Sequence, residues 1–201
     1  IDRSYNSGAV TATVGNYTDA FCGGLIGDCS TSAVTITDCF NEGAITAETG
    51  VGSSSLFGGD TAYAGGIVAS FAGIIERVYN AGAVNAKVTD TYDLGSGSAY
   101  AGGICGSSAS GAKINDAASI HSTVYAVEGG GTKYQYRISY SGTKNNTVTN
   151  STMTSGSTND ADAAVSEENL KTADVYQNTL GWDFSTVWEI VSGKDFPQLK
   201  Q

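Results

Sequence analysis

The sequence predicts an all-β fold, a right-handed parallel β-helix of about three to four coils with a mixed C-terminal cap that contains one short helix. Two observations support this prediction. A segment with an aromatic residue followed by Asn-x-Gly recurs along the chain, and abundant Gly, Ser and Thr with a single proline favour turns and short strands. A β-sandwich is the alternative, and it would require antiparallel hairpins with tight turns.

The repeat begins at an isoleucine and recurs every 35 to 39 residues. The first three units read IDRSYNSGAVTA, ITDCFNEGAITA and IERVYNAGAVNA, and they start at Ile1, Ile36 and Ile75. The fourth, INDAASIHSTVYAV from Ile114, loses the aromatic residue, the Asn and the Gly. After a stretch of variable length, a glycine pair follows in CGGLIG, AGGIVA or AGGICG. Constant segments joined by stretches of unequal length indicate a regular scaffold with inserted loops.

Each unit contains three predicted strands. GAVTA alternates with a period of two residues, the glycine-pair segment is apolar, and Ile-x-x-small-aromatic precedes the Asn-x-Gly turn. Such a unit cannot bury its inner face alone, so equivalent residues of successive units should stack as ladders about 4.8 Å apart. The predicted ladders are Tyr5/Phe40/Tyr79, Phe21/Tyr63/Tyr100 and Asn6/Asn41/Asn80.

The four cysteines are predicted to be free thiols inside the ladders. Cys22 aligns with small residues, Cys39 with Val78 and Cys105 with Val68 and Ile26, and no CxxC pair occurs. Cysteine is among the residue types most often buried as a small hydrophobe.

A net charge of −10 makes binding to nucleic acid or to an anionic membrane surface unfavourable. No lysine- or arginine-rich cluster offsets the charge, and no apolar run is long enough to insert into a membrane. The charges beside the first strand of each unit, which include Arg3, Asp38 and Arg77, are of mixed sign. We expect them to form a solvated, charge-balanced face.

The segments YNSGAVTA, FNEGAITA and YNAGAVNA, each followed by a glycine-pair segment, resemble GLUG-motif repeats, and residues 164–200 are similar to the tail that often follows such repeats. The resemblance covers roughly residues 1–107 and 164–200. It implies a bacterial secreted or surface-anchored, adhesin-like protein, of which this chain would be a monomeric part of a longer multidomain polypeptide. Some members are immunoglobulin A1 peptidases that use a separate zinc-binding domain. HExxH is absent here, so the peptidase activity is not carried over.

Two regions are predicted. Residues 1–133 contain the repeats, and residues 134–201 contain a polar segment followed by an aromatic cap on the end of the solenoid. Ser166 is placed as a helix N-cap, with Glu167 and Glu168 in the first turn. The cap would close a core and strand edges that the last coil leaves open. Its large aromatic residues are Trp182, Phe184, Trp188 and Phe196.

The repeat, the cap and the absence of a catalytic constellation predict a non-catalytic module that extends or presents a binding surface. The resemblance implies that this module lies at the cell surface and adheres to a host protein or glycan. The candidate ligand-binding residues lie in or beside the Gly/Ser-rich loops, where tyrosine suits adaptable recognition. A carbohydrate-active β-helix lyase or hydrolase is the alternative, and it would need carboxylates that converge on one sheet face. The candidates are Tyr17, Tyr63, Tyr92 and Tyr100.

No cofactor is expected, and the only metal considered is calcium. Loop carboxylates could supply its oxygen ligands, although no EF-hand loop occurs. His121, the single histidine, replaces a turn glycine in the degenerate fourth unit, so we expect no catalytic role for it. The calcium candidates are Asp60, Asp90 and Asp93, with Asp160 and Asp162 further along the chain.

Overall fold

The computed structural model describes residues 1–15, 18–50, 60–89, 97–121, 123–127, 132–153 and 162–201. Strands account for most of the regular structure within these ranges. In chain order they are β1 (Tyr5–Asn6), β2 (Val10–Thr13), β3 (Ala20–Gly23), β4 (Ile26–Cys29), β5 (Thr35–Asn41), β6 (Ile45–Thr49), β7 (Thr61–Gly65), β8 (Val68–Phe71), β9 (Ile74–Asn80), β10 (Val84–Val88), β11 (Ser98–Gly102), β12 (Cys105–Ser108), β13 (Lys113–Asn115), β14 (Ala118–Ser119), β15 (Val124–Val127), β16 (Thr132–Tyr136), β17 (Thr143–Asn145), β18 (Val148–Asn150), β19 (Ala163–Val165), β20 (Trp188–Glu189) and β21 (Gln198–Leu199).

Four parallel sheets take one strand from each successive repeat. Sheet A runs β1-β5-β9-β14-β18-β19, with β13 and β17 pairing beside this path. Sheet B is β2-β6-β10-β15, sheet C is β3-β7-β11-β16 and sheet D is β4-β8-β12. The chain passes through A, B, C and D in that order and then returns to A one level further on. The β20–β21 pair is antiparallel. The fold is therefore all-β and dominated by parallel pairing.

The register of the sheets matches the alignment of the repeats. Tyr5 pairs with Phe40, and Phe40 pairs with Tyr79. In sheet C, Phe21 pairs with Tyr63, which pairs with Tyr100. The predicted aromatic ladders are thereby confirmed, because each one consists of residues at equivalent positions of the repeat.

The glycine pair is a corner and not the interior of a strand. Sequence analysis predicted one strand through this segment, whereas the chain ends a sheet C strand at the first glycine and begins a sheet D strand two residues after the second. A Cβ at Gly66 would lie 2.1 Å from the carbonyl oxygen of Gly103, so the backbones approach too closely for a side chain. Each repeat consequently has four strands instead of three.

A second feature absent from the prediction is a left-handed residue inside sheet A. Five non-glycine residues at equivalent positions have φ between 45° and 53°. This conformation interrupts the alternation of side chains along the strand, so the isoleucine and the small residue three positions later both face the core, as Ile36 and Cys39 do. The next residue, Phe40, then faces outward. The left-handed residues are Arg3, Asp38, Arg77, Asp116 and Asn146.

The stack continues beyond the recognisable repeats. The predicted boundary between residues 133 and 134 falls inside β16, which pairs in register with β11. Further along, β17 pairs with β13, β18 with β14, and β19 with β18. These strands occupy the same sheets although their sequences lack the aromatic-Asn-x-Gly pattern.

Two interior clusters form the core. One lies between sheets B and C and consists largely of alanine and valine with Ile45, and the other lies between sheets A and D and is rich in isoleucine. All four cysteines are free, as predicted. Cys22, Cys39 and Cys105 are buried and Cys29 is partly exposed.

The C-terminal segment packs along the outer face of sheet A, which differs from the predicted position over the end of the stack. It contains α1 (Glu167–Leu170), for which the Ser166 side chain accepts a hydrogen bond from the Asn169 amide, and a π-helical turn at Val175–Thr179. Its apolar residues join Phe40, Tyr79 and Val148, which belong to β5, β9 and β18. The left-handed residue turns Phe40 and Tyr79 outward, and these large side chains need a cover along the sheet.

Candidate binding surface

An aromatic ladder runs across the outer face of sheet C. The ring centroids of Phe21 and Tyr63 are 4.8 Å apart, those of Tyr63 and Tyr100 are 5.0 Å apart, and those of Tyr100 and Tyr134 are 4.4 Å apart. The planes of neighbouring rings differ by at most 13°. We call these four residues the open ladder. Alternation along each strand places alanine or cysteine in the core on either side of the aromatic residue, which therefore faces outward.

Tyr140 packs against one end of the open ladder. Its ring meets Tyr100 and Tyr134 nearly edge-on, with centroids 5.0 and 4.9 Å away, and it also contacts Tyr136. The Tyr140 side chain remains exposed. The surface therefore extends past the stacked rings to a cluster of tyrosine edges.

The phenolic hydroxyls of Tyr63 and Tyr100 in the open ladder are neutral at physiological pH. Burial, followed by the neighbouring tyrosines Tyr134, Tyr63 and Tyr140, raises the pKa of Tyr100 to about 12. Burial and the negative charge of Asp19 raise the pKa of Tyr63 above its usual value. Asp19 is held beside this strand because its carboxylate accepts a hydrogen bond of 2.8 Å from the Thr61 amide. Neutral hydroxyls both donate and accept hydrogen bonds, so this row can bind polar ligands.

The open ladder lies near the start of the sheet C strands, directly after the variable segments of the sequence. In each repeat they connect a sheet B strand to a sheet C strand, as between β6 and β7 or between β10 and β11, and the aromatic residue follows within the first three residues of the new strand. Of the predicted ligand-binding tyrosines, Tyr63 and Tyr100 belong to the ladder, whereas Tyr17 and Tyr92 lie outside the described residues. Sequence analysis missed Tyr134 and Tyr140. The alternating segment YQYRISYS was the available signal for them.

A second aromatic ladder, on sheet A, is covered over Phe40 and Tyr79, whereas Tyr5 at its end is exposed. Tyr5, Phe40 and Tyr79 stack with centroids 4.9 Å apart, and we call them the covered ladder. The ring centroid of Trp188 lies 6.2 Å from the ring centroids of both Phe40 and Tyr79. The Tyr79 hydroxyl donates to Glu42 Oε1 or to the Pro197 carbonyl, each at 3.0 Å. Burial and Glu42 raise the pKa of Tyr79 far above its usual range, so this hydroxyl is a structural donor.

Charges on sheet A form pairs beneath the C-terminal segment. Arg77 Nε donates to Asp38 Oδ1 at 2.8 Å, and Trp188 Nε1 donates to the same oxygen at 3.1 Å. Burial opposes ionisation of Asp38, but the bonds from Arg77 and Trp188 outweigh it and lower the pKa of the carboxyl. The expectation of a solvated face is corrected here, because Asp38 is buried.

Among the described residues, the remaining candidates are not brought together at one place. His121 Nδ1 accepts a hydrogen bond from the Thr123 amide, and the described residues that line the cavity beside His121 include Glu167 and Asp195 but no serine, threonine or cysteine. Among the described residues, His, Cys, Asp and Glu side chains form no group of three or more that could hold a metal ion.

The predicted calcium ligands are scattered or lie outside the described ranges. Asp60 is buried directly before β7, and the carboxylate of Asp162 accepts a hydrogen bond from Thr149 Oγ1 and has a side-chain exposure of 3%. Asp90, Asp93 and Asp160 fall outside the described residues.

Comparison with known proteins gives a likeness of fold. A crystal structure of a "putative immunoglobulin A1 protease from Bacteroides ovatus" matches with a TM-score of 0.51 and 17% sequence identity. The match covers 96% of this chain and 56% of that protein, so the chain spans little more than half of its length. No protein-family model and no curated protein matches the chain. Across the described residues, no helix has the length and apolar character needed to span a bilayer.

Proposed function

We propose that the chain is a non-catalytic module of a bacterial cell-surface or secreted protein, in which the open ladder and the adjoining loops bind a host protein or glycan. One observation carries this proposal. Among the residues that the structure describes, two aromatic ladders of the same construction occur, and the C-terminal segment from residue 162 onward packs on the one on sheet A. Large aromatic groups that stay accessible on a rigid sheet are typical of interaction sites.

The proposed architecture is a right-handed parallel β-helix built from GLUG-like repeats. Its support is the parallel, in-register pairing of successive repeats and the return of the chain to sheet A after every passage through sheets B, C and D. The likeness to the Bacteroides structure agrees with a bacterial scaffold of this kind. Stacked repeats form a stiff rod, which suits a module that holds a binding surface away from its anchor.

The ladder geometry favours hydrogen bonding over stacking as the mode of recognition. Because the four rings stack on one another, most ring faces are already occupied, and the ladder presents edges that carry the hydroxyls of Tyr63, Tyr100 and Tyr134. A row of hydroxyls about one strand spacing apart complements extended ligands rich in hydroxyl or amide groups, such as a glycan chain or a peptide strand. Tyrosine binds such ligands at a low cost in side-chain entropy.

Paired carboxylates argue for a binding module and against the carbohydrate-active alternative. The Asp38 carboxylate accepts a hydrogen bond from Arg77, and Glu48 Oε1 lies 2.6 Å from Lys87 Nζ. The Glu76 carboxylate accepts a hydrogen bond from Asn115 Nδ2. Each pair joins adjacent repeats, so these acids stabilise the stack. The enzyme alternative predicts turnover of pectic or host polysaccharides, and measured turnover by the purified chain would overturn the non-catalytic proposal.

Binding is tested with a panel of immobilised host glycans and extracellular host proteins. We expect the wild-type chain to bind at least one member of the panel and the Tyr63→Ser/Tyr100→Ser variant to show no binding to that member. Tyr125→Ser is the matched control, because Tyr125 is an exposed tyrosine on sheet B outside the ladder. Absence of binding across the panel, or equal loss in the control, would contradict the proposal.

A further inference from the structure

A cavity of about 240 Å³ lies between the stack and the C-terminal segment. The stack contributes the corner where the chain leaves sheet A for sheet B, and the C-terminal segment contributes α1 and the residues that precede β21. The cavity therefore has one wall from the repeats and one from the segment that packs on sheet A. Among the residues that line it are Ala81, Ile120, His121, Glu167, Asp195 and Phe196.

His121 brings a hydrogen-bond donor of fixed orientation to this cavity. It occupies the position of Gly43 and Gly82, where a Cβ would lie 1.9 Å from a carbonyl oxygen of the preceding level, so those levels have no side chain here. Its Nδ1 accepts a hydrogen bond of 2.9 Å from the Thr123 amide. In the neutral imidazole the proton is then on Nε2, and the Nε2–H group is the donor that the ring offers to a ligand.

Glu167 and Asp195 supply acceptors on the opposite wall. The Lys171 ammonium lies 3.3 Å from Glu167 Oε1 and 3.8 Å from Asp195 Oδ2, so it connects the two carboxylates. Their side chains are 58% and 71% exposed, which leaves oxygen lone pairs for a ligand. Because Lys171 already supplies a positive charge and two carboxylates repel an anion, a ligand with neutral hydroxyl donors fits this wall best.

The other residues named above give the cavity an apolar surface. Ala81 and Ile120 follow Asn80 and Ser119, which pair in register, so they come from equivalent positions of two repeats. Phe196 adds an aromatic ring from the C-terminal segment. An apolar wall with a few polar groups around it is typical of small-molecule sites, and the volume is below the roughly 300 Å³ at which sites for drug-sized ligands begin. The cavity thus has the size for one small ring.

We infer that this cavity binds one neutral sugar residue. The sugar hydroxyls donate to the carboxylates of Glu167 and Asp195, and one hydroxyl oxygen accepts from His121 Nε2–H. The C–H face of the sugar ring lies against Phe196. This site lies on the opposite side of the C-terminal segment's own core contacts from no part of sheet C, and it does not depend on the open ladder.

A second cavity provides room for the next residue of a glycan chain. It has a volume of about 330 Å³, shares Ala81, Asp195 and Phe196 with the first cavity, and continues to Glu42. We therefore expect a disaccharide of the preferred sugar to bind more tightly than the single sugar.

The test uses the imidazole of His121, which is the chain's single histidine and therefore gives unambiguous ¹⁵N signals. The labelled chain is titrated at pH 8 with glucose, galactose, mannose and N-acetylglucosamine. We expect at least one of these sugars to shift the His121 signals in a saturable way, with a dissociation constant on the order of 1 mM. Glucosamine, which carries an ammonium group, should bind more weakly than the preferred neutral sugar.

Two neighbouring glutamates give a matched pair of variants. Glu167→Gln should weaken sugar binding by about tenfold, because it removes a charged acceptor. Glu168→Gln makes the same change of charge on α1 at a residue that is not among the described lining residues, and it should leave binding unchanged. The Tyr63→Ser/Tyr100→Ser variant should also leave the titration unchanged, which separates this site from the open ladder.

Three results would overturn the inference. The first is the absence of a saturable shift of the His121 signals with all four neutral sugars. The second is equal weakening by Glu167→Gln and Glu168→Gln. The third is tighter binding of glucosamine than of every neutral sugar, which would assign the cavity to a cation instead.

Discussion

The covered and the open ladder are built alike but differ in what lies over them. Both arise from one aromatic residue per repeat, both stack with centroids near 5 Å, and both face away from the core. The covered ladder is closed by Trp188, Phe196 and the Pro197 carbonyl. Of the described aromatic residues outside the open ladder, Tyr140 packs against its rings, at one end. Stacking by itself therefore follows from the register of the repeats. The presence or absence of a cover distinguishes a structural ladder from one that is available to a ligand.

The largest expected effect is on the cover. Trp188→Ala removes a fully buried ring that contacts Phe40 and Tyr79, together with the donor to Asp38. We expect the free energy of unfolding to fall by about 3–5 kcal/mol, as for other buried aromatic residues. Urea unfolding checks this value, with Tyr125→Ala as the exposed control. A loss below about 1 kcal/mol would mean that the cover contributes little to stability.

A smaller effect is expected at the charge pair beneath the cover. Asp38→Ala leaves Arg77 and the Trp188 indole without their acceptor, and we expect a loss of about 2–3 kcal/mol at neutral pH. The folded state lowers the pKa of this carboxyl, so its contribution is present above the ordinary value of 3.8 and is lost as the pH falls below it.

Unfolding measured across this acid range checks the assignment. The difference between the wild-type chain and Asp38→Ala should shrink as the carboxyl becomes protonated. A difference that stays constant with pH would contradict a contribution from the charged form of Asp38. Arg77→Gln is a useful companion, because it removes the cation and leaves Trp188 as a donor to Asp38.

The open ladder should tolerate substitution better than the covered one. Tyr100→Ala loses stacking with Tyr63 and Tyr134 at a partly exposed position, for which we expect about 1 kcal/mol. A loss as large as that of Trp188→Ala would remove the distinction between the two ladders. Urea unfolding of both variants under the same conditions gives the comparison directly.

The smallest effect concerns the Tyr100 hydroxyl. The folded state raises its pKa from 10.0 to about 12, so its contribution to stability is present below 10.0 and is lost as the pH rises toward 12. Tyr100→Phe keeps the ring stack but removes this titration. We expect nearly unchanged stability at neutral pH and a weaker alkaline loss than in the wild-type chain. Identical alkaline profiles would contradict the raised pKa.

Repeated segments with fixed internal spacing were sufficient to predict the parallel pairing and both aromatic ladders. In YNSGAVTA, FNEGAITA and YNAGAVNA, the aromatic residue and the asparagine keep their distance from the alternating strand, so aligning the segments aligns the sheets. The burial of Cys22, Cys39 and Cys105 followed from the same alignment. The repeat pattern carried this information because the strand pairs between levels join equivalent residues.

The features that were not predicted lack a residue pattern that marks them or depend on contacts between unlike residues. The left-handed positions are occupied by Arg, Asp and Asn and not by glycine, so no residue type in the sequence marks a positive φ there. The one remaining signal was the three-residue spacing between the two core positions on either side. Tyr134 was missed because β16 lacks a glycine pair. The C-terminal segment reaches Asp38, Tyr79 and Asp116 from distant positions, and no repeat pattern records those contacts.

Tyrosine nitration, measured for each residue by mass spectrometry, tests the difference between the ladders most directly. The free chain is compared with the chain bound to the panel member for which binding is found. We predict that Tyr63, Tyr100 and Tyr140 react in the free chain and are protected in the complex, while buried Tyr79 and Tyr176 stay unreactive in both. Protection confined to Tyr125 or Tyr5, with the open ladder equally reactive in both samples, would contradict the proposal that the open ladder is the binding surface.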